Sequence, residues 1–211
     1  MKTNNNTSYA NALILGTLLL IFTMVMHPTG GSIAYVQKIS TLLMVTHSVA
    51  ILSLPLLLLG FWGLYKLLDD DSLSSLGAYM VIVIGLFAGM LAAAVNGLAL
   101  PIFLAHFPDA GPEQITTIKP IVSYNAALNH AFDFIFMGAC CVSTMLWSIA
   151  ILRTRRLPVW MGWLGLLLPI LAIIPACLGF AFTGLAGFRF FMAGYFVWLV
   201  MIIIGLRSSY K

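Results

Sequence analysis

Four histidines, one acid within an apolar run and a handful of amides are the side chains in this sequence best suited to form a reactive or binding centre. The complete histidine set is His27, His47, His106 and His130, and Asp133 is the one carboxylate inside a long apolar segment. Imidazoles with a carboxylate can fill three positions around a divalent metal and leave a fourth open to water. His47 and His130 can instead hold a haem between two helices, with Met24, Met44 or Met137 as softer ligands that also suit copper. A third chemistry is proton handling, because an acid beside a histidine in a low-dielectric setting is the pairing that relays and coupled transporters use. The three readings share residues and differ in consequence.

The elements that must position these groups are membrane helices. Of the 211 residues 62% are hydrophobic and only 8% charged, with a mean hydropathy of +1.06. A soluble domain carries about a quarter charged residues, so a water-facing surface cannot be made from this chain. Six apolar stretches stand between short polar joints, at about 10–27, 39–65, 74–104, 121–152, 159–183 and 188–206. Backbone in lipid must satisfy its own hydrogen bonds, and unbroken runs such as Leu56–Leu59 and Met201–Ile204 lack the alternation of a membrane barrel. The pattern predicts an all-α, polytopic six-helix bundle forming one transmembrane domain over 1–211. Lys2 before the first apolar run resembles a signal peptide, but the polar lead and missing cleavage motif favour a retained helix.

Basic residues set the orientation, because Lys and Arg are held on the cytoplasmic side during insertion. With six crossings, Lys2, Lys66, Arg153, Arg155, Arg156, Arg207 and Lys211 share one side, against Lys38, Lys119 and Arg189 on the other. Both termini are therefore expected in the cytoplasm. Small size and sparse joints favour a bacterial inner membrane.

Depth follows from the helical rise. His47 lies 19 residues from Lys66, Asp133 20 from Arg153 and Arg189 18 from Arg207, so each stands about 27–30 Å above its anchor. His130 is one turn above Asp133, His27 ends the first span, and His106 lies on the longest outer joint, Leu104 to Lys119. The histidines, the intramembrane acid and Arg189 thus share one outer layer. Asn125, Asn129 and Asp133 recur every four residues and form a stripe on one helix face. Ser40, Met44, His47 and Ser48 form a second stripe, and Asn96-Gly97 before Pro101 marks a kink in the third span. Polar stripes in lipid must face protein or a wet cavity. Turning these faces together makes a polar cavity that opens outward.

Each feature also has a purely structural explanation. His27 and His106 can bond a headgroup or a backbone carbonyl, Asp133 can neutralise Arg189, and Asn125 can cap a helix that starts after Pro120. Asp69-Asp70-Asp71-Ser72 suits a solvated joint and N-cap but lacks the glycine and glutamate of a calcium loop. Gly85-x-x-x-Gly89 continuing to Ala93 permits close helix approach, within one chain or between two. Pro55, Pro169 and Pro175 should bend their spans, giving the fifth a possible hinge, while Tyr9, Trp160, Trp163 and Tyr210 fit a cytoplasmic aromatic belt.

Several functions are excluded or unsupported. The net charge of +4 is scattered between apolar runs, so nucleic-acid binding has no basic patch to rest on. Cys140, Cys141 and Cys177 match no zinc or redox spacing and suit packing. The serine-protease turn G-x-S-G is broken in Gly30-Gly31-Ser32-Ile33, no two histidines are spaced H-x-x-x-H, and Glu113 is the only glutamate.

The expected site therefore has His47, His130 and Asp133 as metal or ligand contacts, with His27 as a weaker one. Asn96, Asn125, Asn129 and Arg189 are expected as polar ligand-binding groups. The bilayer is the certain partner, a small molecule or metal ion the expected ligand, and a divalent metal or haem the conceivable cofactor. Three functions stay open: binding of a small ligand or metal at the outer face, proton-coupled transport of a small solute through Asp133 and His130, and a non-catalytic scaffold or accessory subunit.

Overall fold

Apolar residues without strand-like alternation should close their backbone bonds locally, and they do. A computed structural model describes residues 5–28, 31–68, 72–108, 110–180 and 182–208, and every regular element among them is helical. The expectations for Lys2, Gly30, Asp69, Asp70, Asp71, Tyr210 and Lys211 lie outside the described residues. The elements are α1 (Asn5–Met26), α2 (Ile33–Lys38), α3 (Ser40–Leu67), α4 (Leu73–Ala94), a π-helical turn (Val95–Ala99), α5 (Leu100–Leu104), α6 (Pro112–Thr154), α7 (Val159–Cys177) and α8 (Leu185–Ser208). Five runs are long and apolar enough to cross a membrane: Asn6–Met26, Ser40–Leu67, Leu73–Leu104, Pro112–Thr154 and Leu185–Ser208. The chain is a multi-pass integral membrane protein. The stretch expected at 159–183 folds as the shorter α7 of 19 residues, ending at Cys177 before a turn with Gly179 at φ +89°.

Packing follows chain order. α1 lies on α3 and α8, α3 on α4, α4 on α6, α6 on α7, and α7 on α8, with α4–α6 and α1–α3 the broadest contacts. Gly85 explains the closeness of α4 and α6, since a Cβ there would meet the Ala139 Cβ at 2.5 Å. The small-residue face of the third span is thus used within the chain. Phe61, Trp147 and Trp198 stack with ring centroids 4.9 and 5.7 Å apart, and Tyr195 extends the column at 5.9 Å. Trp147 and Trp198 are fully buried, so this column ties α3, α6 and α8 together.

The two ends of the bundle differ in charge. At one end Arg156 donates to the Leu67 carbonyl at 3.0 Å and Arg207 to the Asn11 amide oxygen at 2.8 Å. Tyr9 of α1 sits on Gly63 of α3 at the same end. The ends of α3, α6 and α8 therefore bring Lys66, Arg153, Arg155, Arg156 and Arg207 together near the start of α1. At the opposite end Arg189 donates to the His27 carbonyl at 2.8 Å.

The largest departure from the sequence pattern is α6. The joint expected over Leu104 to Lys119 ends at Gly111, and the helix expected from 121 begins at Pro112, giving 43 residues. A proline at the first helical position costs nothing, because its missing N–H would have had no partner there. Pro120 lies inside the helix and removes one hydrogen bond, a cost of roughly 3 kcal/mol. Packing offsets that cost: Ile118 is buried with Leu100 and Leu104, flanked by Val122, Phe103 and Phe107. Asn125 consequently sits in the helix interior and caps nothing, and its buried Nδ2 has no protein partner. At about 65 Å, α6 is roughly twice the thickness of the hydrocarbon layer. Ser72 holds the N-cap position of α4, but its hydroxyl bonds that of Ser74 at 2.9 Å rather than a backbone N–H.

Candidate functional site

The kink expected from Asn96, Gly97 and Pro101 takes the form of the π-helical turn, which carries Asn96 and Gly97 just before Pro101 enters α5. π-turns inside helices often mark functional positions, because the extra residue re-aims side chains. Here the turn makes room for an imidazole. A Cβ on Gly97 would coincide with the His47 ring, so the backbone of the turn is the seat of that side chain. His47 is 5% exposed. Its Nδ1 lies 2.8 Å from the Leu43 carbonyl, which can only accept, so Nδ1 carries the proton. Nε2 is then the acceptor of the neutral ring.

His27 repeats the arrangement from α1. Its Nδ1–H donates to the Pro28 carbonyl at 2.9 Å, and its ring meets the His47 ring edge-on, centroids 4.9 Å apart at 62°. Just beyond the end of α1, burial first, and the nearby Arg189 charge second, hold His27 below the ordinary histidine range against the raising effect of its backbone bond. Thr23, buried one turn earlier, shares its one hydroxyl proton between the Leu19 carbonyl at 3.0 Å and the Thr46 carbonyl at 3.3 Å, and so links α1 to α3 beneath the two rings. From α6, Asn129 Nδ2 donates to Asp133 Oδ2 at 2.8 Å, one turn apart on the same face.

These groups converge on a cavity of about 330 Å³. Its polar lining is Thr23, His27, His47, Asn96, Asn129, His130, Asp133 and Thr183, and its apolar lining includes Leu20, Leu54, Leu86, Phe136 and Met192. α1, α3, α4, α6 and α8 all contribute, with the π-turn at the polar end. Along α3 the apolar Leu54 lies two turns from His47, and along α6 Phe136 lies one turn from Asp133, both towards the basic end of the bundle. The cavity is therefore amphipathic: its polar groups lie at the end with the π-turn, interleaved there with Ile39, Leu43 and Leu100, and the part towards the middle is apolar.

Other expected residues lie elsewhere. Arg189 is exposed, bonds the His27 carbonyl and makes no ion pair with Asp133. Neither Arg189 nor Asn125 lines the cavity. His106 is exposed and donates to the Ile102 carbonyl at 2.9 Å, the structural role open to it from sequence. Of the methionines Met24 lines the cavity, Met44 is exposed and Met137 is packed in the core. Among the described residues no three His, Cys, Asp or Glu side chains stand close enough to hold a metal ion, so the three-ligand set of His47, His130 and Asp133 does not form. All three cysteines are free thiols.

Thr23, Thr46, Thr183 and the role of Gly97 escaped the sequence pattern. Threonine in an apolar helix is usually satisfied by its own carbonyl four residues back, as Thr23 also is through Leu19 at 3.0 Å, and carries no periodic signal. Gly97 was visible as a kink residue, but not as the platform for a ring on another helix.

The fit of His47 against the π-turn gives a direct test. Gly97→Ala is expected to destabilise the protein by about 1–3 kcal/mol, the usual cost of overpacking. Adding His47→Ala should recover most of that loss. Thermal unfolding of both single variants and the double variant in lipid nanodiscs reads the coupling; additive losses would mean the two residues do not touch. No protein family, curated protein or solved structure matches this chain, so its own geometry is what bears on function.

Proposed function

We propose that this protein crosses a bacterial inner membrane six times with both termini in the cytoplasm, and that the cavity at its non-cytoplasmic end binds a small organic ligand. The orientation is supported by the gathering of Lys66, Arg153, Arg155, Arg156 and Arg207 at the end of the bundle opposite His27. The sixth crossing is α7: its 19 residues rise about 28 Å, close to the hydrocarbon thickness, and it links the basic end of α6 to the opposite end, where α8 begins. One observation carries the binding reading, the convergence of polar side chains from separate helices on an amphipathic cavity. Binding sites are mostly apolar concavities with a few placed polar groups, as this one is. In this reading His47, His130, Asp133, Asn96 and Asn129 contact the ligand, His27 orders His47, and Arg189 fixes the rim through the His27 carbonyl. A metal is not the ligand proposed, because the donor groups do not converge in threes.

Ala93 lines the cavity at 8% exposure, so Ala93→Phe would place a phenyl ring in it. Native mass spectrometry of protein extracted from its own membrane is expected to show a small-molecule adduct at one per chain, absent from the Ala93→Phe variant. Identical spectra for the two proteins would contradict a ligand in this cavity.

A second reading is favoured by the placement of Asp133, an intramembrane acid with a histidine one turn away and no basic partner among the described residues. Such an acid can exchange a proton for a solute, which makes proton-coupled transport the natural extension of binding. In proteoliposomes Asp133→Asn should then abolish solute-driven proton movement while leaving the fold intact. Equal flux in variant and parent would remove coupling through this carboxylate. If substitutions across the cavity lower only thermal stability, the protein is a scaffold.

A further inference from the structure

The hydrogen-bonding character of the cavity restricts its ligand more narrowly than its shape does. Resting on the binding function proposed above, we infer that the ligand is an amphiphilic cation, a small apolar molecule whose polar end is a protonated amine.

The charge balance comes first. Asp133 is the only acid among the lining residues, and among the described residues no Lys, Arg or His side chain forms an ion pair with it. No lysine or arginine lines the cavity, and Arg189 is engaged with the His27 carbonyl. A carboxylate set among apolar groups without a counter-charge is costly, and a ligand ammonium supplies that charge.

The donor count points the same way. His47 and His27 each spend the Nδ1 proton on a backbone carbonyl, leaving Nε2 as an acceptor. Asn129 spends an amide hydrogen on Asp133, leaving its Oδ1 as an acceptor beside the carboxylate. The remaining donors are the second amide hydrogen of Asn129, Asn96, His130 and the Thr183 hydroxyl, and the acceptors of the lining, with two carboxylate oxygens among them, still outnumber them. A primary ammonium brings three donors and no acceptor, the complement of that set. An anionic headgroup would bring only acceptors to a site already rich in them, next to a carboxylate.

The apolar end sets the remainder of the molecule. Leu20, Leu54, Leu86, Phe136 and Met192 offer hydrocarbon with no polar group at that depth, so an alkyl or aryl body is buried there rather than a second charge. Phe136 lies one turn from Asp133, at the boundary between the two regions.

The experiment compares three eight-carbon probes that differ only at the head: octylamine, octanol and octanoate. An alkylamine has a pKa near that of lysine, about 10.4, so octylamine is cationic at pH 7. Full-length protein in zwitterionic nanodiscs is titrated by calorimetry, with empty nanodiscs subtracted for partitioning. Saturable octylamine binding at one per chain, about tenfold or more tighter than octanol and with octanoate weaker still, is expected, since hydrogen bonds to charged groups are worth that much. Asp133→Asn should bring octylamine down to the octanol level. Octanol or octanoate binding as tightly as octylamine would overturn the cationic class while keeping the cavity as a binding site. Saturable binding by none of the three would overturn the binding function itself. The comparison within the unmodified protein decides the class even if the variant does not fold, and a variant that keeps the amine preference overturns the role of Asp133.

Discussion

A polar side chain on a membrane helix must find protein or water, because hydrocarbon offers it no hydrogen bond, and that constraint organises the upper half of this molecule. Thr23 donates across to the Thr46 carbonyl, His27 and His47 donate to Pro28 and Leu43, and Asn129 donates to Asp133. Once those bonds are made, the remaining polar capacity of His27, His47, Asn129 and Asp133 faces one cavity shared by several helices. The rest of the bundle is held by packing instead, with an aromatic column through Phe61, Trp147 and Trp198 whose two indole N–H groups are buried without a protein partner.

Position and freedom are divided between elements. The close packing of α4 on α6 at Gly85 and Ala139 fixes the level of Asp133 relative to the π-turn. The π-turn then fixes His47, because only a residue without a Cβ fits beneath its ring. At the same end of the bundle, Gln37 of α2 donates to the carbonyls of Leu104 and Phe107 at 3.1 and 2.7 Å, tying the short α2 to the end of α5. That end is thereby held by side-chain bonds to backbone carbonyls, while α7, with Pro169 and Pro175 inside it, takes no part in the cavity lining.

Hydropathy located every long helix, because a run that must bury its backbone in lipid leaves an unambiguous compositional trace. Counting residues from Lys66 and Arg153 also placed His47 and Asp133 at one level, since helical rise is constant whatever the packing. The failures concern what packing alone decides. Pro120 and Asn125 resemble a break and a cap, yet α6 runs through both because Ile118 and Val122 find partners on and around α5. Arg189 has the right depth to neutralise Asp133, but its guanidinium turns to the His27 carbonyl, a rotational choice that no spacing reveals. The three-ligand metal set failed similarly: a common height does not bring side chains to a common point.

Access from the non-cytoplasmic side to the polar end of the cavity is the property on which the functional reading turns. It is measured most directly by placing Asn96→Cys or Asp133→Cys in protein whose Cys140, Cys141 and Cys177 are changed to alanine, and adding a membrane-impermeant thiol reagent to one side at a time. Both cysteines are expected to react from the non-cytoplasmic side, whereas Ile84→Cys, at a position 59% exposed on α4 in the span and outside the cavity lining, should not react from either. Reaction of the two cavity positions only from the cytoplasm, or from neither side, would contradict an outward-opening polar site.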